Sequence, residues 1–161
     1  MDSDKLLIIW HSRTGTAQAL ALAAAEGAGE RGRLFHCDEA GPEDLIGAGG
    51  YLFVCPENLA SMSGAMKEMF DRCYYPVLGR IEGRGYATIV AAGSDGEGAQ
   101  RQIDRIVTGW RLRRVMEGWI FNTAAQTPEA ILAPKTVPDP ALRRARQIGE
   151  ALAEGIALGI C

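Results

Sequence analysis

The sequence predicts an α/β fold: a three-layer sandwich in which a five-stranded parallel sheet, in the order 2-1-3-4-5, carries helices on both faces. Three observations lead there. Stretches of strand length alternate five times with stretches of helical periodicity, which calls for parallel pairing through right-handed crossovers. The run Tyr51-Leu52-Phe53-Val54-Cys55 is apolar without interruption, as suits a strand covered on both faces. The first strand, Leu6–Trp10, breaks into a hydroxyl-rich turn that leads straight into an alanine-rich helix. With 161 residues and 47% apolar content, the chain is expected to form one domain over 1–161.

The first helix is expected from Thr16 to about Glu30, where alanine and leucine favour it and Gly27, Gly29 and Gly32 punctuate its end. Arg33–Cys37 is short and alternating, a strand near an edge. Gly41-Pro42 opens a short helix through Ile46, since proline is tolerated in a first turn, and Gly49-Gly50 closes it. After the third strand, Pro56 to Gly64 is expected as a loop, and Met66, Met69, Phe70 and Cys73 then share one helical face as core. A fourth strand, Tyr86–Ala92, ends in the loop Gly93-Ser94-Asp95-Gly96-Glu97-Gly98. Ile103, Ile106, Val107 and Trp110 mark an amphipathic helix, with Arg111, Arg113 and Arg114 solvated at its far end. Val115–Phe121 supplies a fifth strand interrupted at Glu117-Gly118. The connection from Asn122 to Asp139 has the length of a lid or subunit contact. Pro140 to about Ile156 is the closing helix.

In this strand order the turn after Trp10, the loop after Cys55 and the loop after Ala92 converge at the carboxyl edge of the sheet, where open α/β sheets bind ligands. Ser12, Thr14 and Thr16 can each donate a hydroxyl hydrogen bond, and Gly15 lets the backbone approach an anion. The free N–H groups of the helix start add positive potential. The turn holds no lysine and has neither G-x-x-x-x-G-K-S/T nor G-x-G-x-x-G, so a single phosphate monoester fits better than a nucleoside triphosphate or a dinucleotide. Taken alone, the same residues also describe an ordinary helix start capped by Ser12 or Thr14. The convergence of three small-residue loops favours the ligand.

The formal net charge of −3 provides no basic field for nucleic acid and points to a small-molecule partner. Met1–Lys5 lacks a basic start, and the apolar run ending at Trp10 is too short for a membrane span, so a soluble cytoplasmic protein without membrane insertion is expected. Cys37, Cys55, Cys73 and Cys161 form no C-x-x-C pair and are expected as reduced thiols, with no metal site. His11 and His36 end strands on the same edge and are expected to bond to backbone. A phosphorelay receiver would need acidic residues after strand 1 and an aspartate after strand 3, where Trp10-His11 and Cys55-Pro56 stand.

The run Ser12-Arg13-Thr14-Gly15-Thr16 resembles the phosphate-binding loop of flavodoxin-like proteins. Pro56-Glu57-Asn58, then Gly64-Ala65-Met66-Lys67 and Phe70-Asp71, resemble the second flavin loop and following helix of NAD(P)H-dependent FMN reductases and related quinone reductases. The resemblance covers nearly the whole chain in element order. It implies noncovalent FMN, with its phosphate on Ser12, Arg13, Thr14, Gly15, Thr16 and Ala17. The ring system would lie between Pro56, Glu57, Asn58, Leu59 and Ala60 on one side and Gly93, Ser94, Asp95, Gly96 and Gly98 on the other. NAD(P)H would be the cosubstrate and a quinone or similar small molecule the electron acceptor. No catalytic side chain is required, because the flavin carries the chemistry. A homodimer is also implied, with contacts on 122–139 and on the helix after Ser63.

Electron carriers of this superfamily usually sandwich the flavin between aromatic residues on the second and third loops and carry a strongly acidic surface. Here no Trp or Tyr lies between Pro56 and Gly64 or between Gly93 and Gly98. An uncovered ring face favours a reductase, since a hydride donor must stack within about 3 to 3.5 Å of the reacting atom. Asp95 and Glu97 would lower the flavin potential if close to the ring, and are otherwise solvated turn residues. An electron carrier and a noncatalytic FMN-binding module are the competing readings.

Overall fold

The computed structural model describes residues 3–161. Its strands are β1 (Leu6–Trp10), β2 (Gly32–His36), β3 (Gly50–Asn58), β4 (Ser61–Met62), β5 (Gly85–Ala92), β6 (Arg113–Arg114) and β7 (Trp119–Asn122). The helices are α1 (Thr16–Ala28), α2 (Pro42–Gly47), α3 (Gly64–Val77), α4 (Glu97–Gly109), α5 (Pro128–Leu132) and α6 (Asp139–Ala157). The parallel sheet runs β2-β1-β3-β5, and its fifth position is shared by β6 and β7, both paired to β5. The expected order 2-1-3-4-5 is therefore present, but the last strand differs from Val115–Phe121: Arg113 and Arg114 form β6 rather than a helix end, 115–118 is not strand, and β7 resumes at Trp119. In register, Trp10 stands between His36 and Val54, so β1 and β2 end together while β3 runs on past them to Asn58.

Alternation along the strands sorts two cores. Leu7, Ile9, Tyr51 and Phe53 face α3 and α4 and pack with Met66, Met69, Phe70, Cys73 and Trp110, the face read from helical spacing. Leu6, Ile8, Leu52 and Val54 face α1 and α6 and pack with Leu20, Ala21, Ala24, Leu152 and Ala153. On the α1–α6 side the two helices approach so closely that a Cβ at Gly27 would strike the Arg146 carbonyl, and one at Gly149 would strike the Ala24 carbonyl. All four cysteines are free; burial pushes the Cys37 thiol up to about 11 and the Cys55 thiol up to about 12.

The structure corrects three further local expectations. The segment after Cys55 is not a loop but a hairpin: β3 continues through Asn58, reverses at Leu59 and Ala60, and returns as β4 with Glu57 opposite Met62. Both tip residues are left-handed, at φ 53° and 61°, as a two-residue type I′ turn demands. Neither is glycine or asparagine, which is why the turn gives no sequence signal, and the conformation costs roughly 1–2 kcal/mol per residue. The long connection after β7 contains the short helix α5, whose Thr127 side chain caps it by accepting from Ala130 N at 3.1 Å. His11 bonds not to backbone but to the Ser63 hydroxyl, Nδ1 to Oγ 2.8 Å, joining the end of β1 to the start of α3. His36 does bond to backbone, its Nδ1 accepting from Asp38 N at 3.2 Å.

Two outcomes follow from this packing. An exposed helical glycine replaced by alanine gains about 1 kcal/mol, but Gly27→Ala should lose roughly 1–3 kcal/mol of unfolding free energy through overpacking against α6, measured by urea denaturation. Burial holds the His11 pKa below its ordinary 6.5, with His36 and Arg13 adding to the effect. Its stabilising contribution is therefore complete above about pH 6.5 and lost as the pH falls below that value. In thermal melts between pH 7.5 and 5, His11→Gln should flatten the acid-side decline seen in the unsubstituted chain.

Candidate functional site

At the end of β1 the chain turns through 11–15, with the Ser12 hydroxyl oxygen accepting from Gly15 N at 3.1 Å. Gly15 sits at φ 106°, a left-handed value that only glycine adopts freely, and this aims the start of α1 back across the sheet edge. Among the described residues no side chain caps α1, so its first N–H groups stay available to an anion. Thr16 Oγ1 is buried without any hydrogen-bond partner. A buried hydroxyl left unsatisfied costs free energy, and a ligand acceptor in front of it removes the cost. Ser12 uses an oxygen lone pair on Gly15 N and Thr14 accepts from Lys135 Nζ at 3.4 Å, so both keep their hydroxyl hydrogens to donate.

The second wall is the β3–β4 hairpin. Both Glu57 carboxylate oxygens are engaged at the start of α4, accepting from Gly96 N at 2.8 Å and from Ala99 N at 3.1 Å. The carboxylate thus caps a helix from outside it and ties the second loop to the third. Gly98 lets α4 seat against the hairpin, since a Cβ there would strike the Ala60 carbonyl. With its amide oxygen turned toward the guanidinium, Asn58 accepts from Arg13 Nε at 2.9 Å and donates to Glu57 O at 3.1 Å.

The third wall comes from the end of β5 and from a strap over 123–138. Thr123 N donates to Ala92 O at 2.8 Å, Gln126 Nε2 donates to Gly93 O at 3.1 Å, and Asn122 Nδ2 donates to Ser94 O. At the far end of the strap Lys135 N donates to Thr14 O at 2.8 Å. The strap therefore runs from the third loop to the turn after β1. Between these walls lies a cleft of about 380 Å³, within the size range of cofactor sites.

Of the residues read from sequence, Ser12, Arg13, Thr14, Thr16, Ala17, Pro56, Glu57, Asn58 and Gly93 line this cleft. Gly15, Leu59, Ala60, Ser94, Asp95, Gly96 and Gly98 do not; they shape the turns behind it. Asp95 is exposed, its carboxylate accepting from Glu97 N at 3.3 Å, which makes it a turn residue. Sequence reasoning missed Ala91, Ala92, Thr123, Ala125, Ile131, Leu132 and Lys135. The only signal for the last five was the length of the connection that carries them. His36, Cys37 and Asp38 offer donor atoms within 4.8 Å of one another, but His36 Nδ1 is committed to Asp38 N and the trio lies outside the cleft.

The cleft lining is of two chemical kinds. Ser12, Thr14, Thr16, the α1 N–H groups and Lys135 suit a phosphate monoester. Pro56, Ala91, Ala92, Ile131 and Leu132 give an apolar wall suited to a flat heteroaromatic ring, with no aromatic side chain among the described lining residues. FMN carries both groups, and the orphaned Thr16 hydroxyl is where its phosphate would supply the missing acceptor.

Residues 35–126 match the family of NADPH-dependent FMN reductases. A flavodoxin of Aquifex aeolicus is 34% identical over 108 residues, and the match spans 65% of this chain and 58% of that protein. Among solved structures, a flavodoxin from the domain Archaea superposes with a TM-score of 0.75 at 16% identity, covering 94% of this chain and 98% of the other. A flavodoxin, WrbA-like protein from Agrobacterium tumefaciens superposes with a TM-score of 0.76 at 15% identity, covering 96% and 98%. Those two likenesses establish the flavodoxin-like fold. The match over residues 35–126 covers more than half of the chain, and the chain belongs to the NADPH-dependent FMN reductase family, flavodoxin-like oxidoreductases with FMN as cofactor.

Proposed function

We propose that this chain passes a hydride from NADPH, through noncovalently bound FMN, to a quinone or similar small acceptor. The observation that carries the reading is a cleft that combines hydroxyls and a cation beside α1 with the apolar surface of Pro56, Ala91, Ala92, Ile131 and Leu132, and has no aromatic side chain among its described lining residues. Bound FMN supplies the hydride-accepting and hydride-donating chemistry. Ser12, Thr14, Thr16 and the α1 N–H groups donate to the phosphate. Glu57 holds the third loop against the hairpin through Gly96 and Ala99, which fixes the width of the cleft. Ile131 and Leu132, both exposed in the flavin-free chain, offer apolar surface for a ring to cover. Among the described lining residues there is no Trp or Tyr, which would leave a ring face open for a nicotinamide and then an acceptor to stack within about 3 to 3.5 Å.

An electron carrier is the second reading, favoured by the Aquifex aeolicus relative being a flavodoxin. The two separate in a steady-state assay. A reductase loaded with FMN consumes NADPH at a rate proportional to protein and saturable in quinone. A holoprotein that leaves NADPH untouched with every quinone offered is a carrier or a binding module.

Thr16→Val should act in opposite directions on binding and stability. Deleting the hydroxyl raises the Kd for FMN about tenfold, followed by quenching of flavin fluorescence. In the flavin-free protein the same change removes a buried unsatisfied group and raises the unfolding free energy by about 1 kcal/mol, measured by denaturant titration.

A further inference from the structure

We propose that Lys135, carried by the strap, is the cation that neutralises the FMN phosphate and makes the site select FMN over riboflavin; this rests on the FMN reading above. A phosphate monoester brings about −1.5 to −2 charges at neutral pH, and the turn after β1 itself offers neutral hydroxyls, backbone N–H groups and Arg13. Arg13 is exposed and directs its Nε to Asn58 on the hairpin. Glu57, the anionic lining residue, is already engaged with the α4 backbone. Arg13 lines the cleft too, but it is exposed, so the half-buried Lys135 is the less solvent-screened of the two cations.

Its position is built. Lys135 N donates to Thr14 O at 2.8 Å, which pins the strap backbone to the turn. The ammonium donates to Ile131 O at 3.0 Å, Ala133 O at 2.6 Å and Thr14 Oγ1 at 3.4 Å, and the side chain is half-buried at the cleft wall. By occupying a lone pair of Thr14 Oγ1, the ammonium turns that hydroxyl into a polarised donor. The unpartnered, buried Thr16 Oγ1 is the independent sign that an acceptor belongs beside this cluster.

The test compares FMN and riboflavin, which differ only in the phosphate. Flavin-free protein is titrated with each, following flavin fluorescence, for the unsubstituted chain, Lys135→Met and Lys135→Arg. We expect Lys135→Met to raise the Kd for FMN about ten- to a hundredfold while the Kd for riboflavin stays within about twofold. Lys135→Arg should keep most of the FMN preference, and the gap between the Met and unsubstituted chains should narrow as salt is raised. If Lys135→Met weakens both flavins equally, the residue only staples the strap and the proposal is overturned. An unchanged FMN affinity overturns it as well. If the unsubstituted chain binds riboflavin but does not prefer FMN, the inference alone fails; if it binds neither flavin, the FMN reading fails first.

Discussion

The backbone-to-backbone approach of α1 and α6 is the contact on which the site depends. Glycine at 27 and at 149 leaves no Cβ between the helices, so carbonyls of one lie directly against Cα atoms of the other, and neither helix can slide or rotate without collision. One of these helices starts at the turn after β1, and the other starts where the strap ends. Locking them together fixes the distance the strap has to cover after leaving β7. The strap crosses the cleft because its two ends are held on opposite sides of it, and Lys135 reaches Thr14 as part of that crossing. The cleft is therefore assembled by a helix contact on one face of the sheet as much as by the loops at its edge.

The second organising contact is electrostatic. The positive end of α4 is satisfied by Glu57 from the neighbouring hairpin, so a helix start that would attract an external anion is already occupied. The start of α1 is left open and is backed by Lys135. Two helix N-termini face the same sheet edge, and only one is available to a phosphate. This asymmetry orients a ligand with one anionic end and one flat apolar end without requiring any side chain to move.

What could be read from the sequence was whatever local periodicity encodes. The continuous apolar run of β3, the helical stripe of α4 and the hydroxyl-rich turn after Trp10 are all written within a few residues of one another, and strand order followed from their alternation. The hairpin at Leu59-Ala60 escaped because its tip uses left-handed residues that carry no turn signature. Glu57 could be placed at the site, but its partners at Gly96 and Ala99 are 39 and 42 positions away, so its role as a clamp was hidden. Lys135 and Thr14 are separated by 121 positions. No pattern within a window reports such a pair; only the docking of α6 on α1 brings it about.

Cys55 immediately precedes Pro56 in the cleft wall, and burial raises its thiol to about 12. At neutral pH that keeps it protonated, whereas the thiolate is the form that peroxide attacks. Were a reduced flavin held in this cleft to pass electrons to dioxygen, peroxide would form near this sulfur. Burial of Cys55 in the floor of the sheet would thus keep the thiol beside a flavin site protonated and away from solvent-borne oxidant.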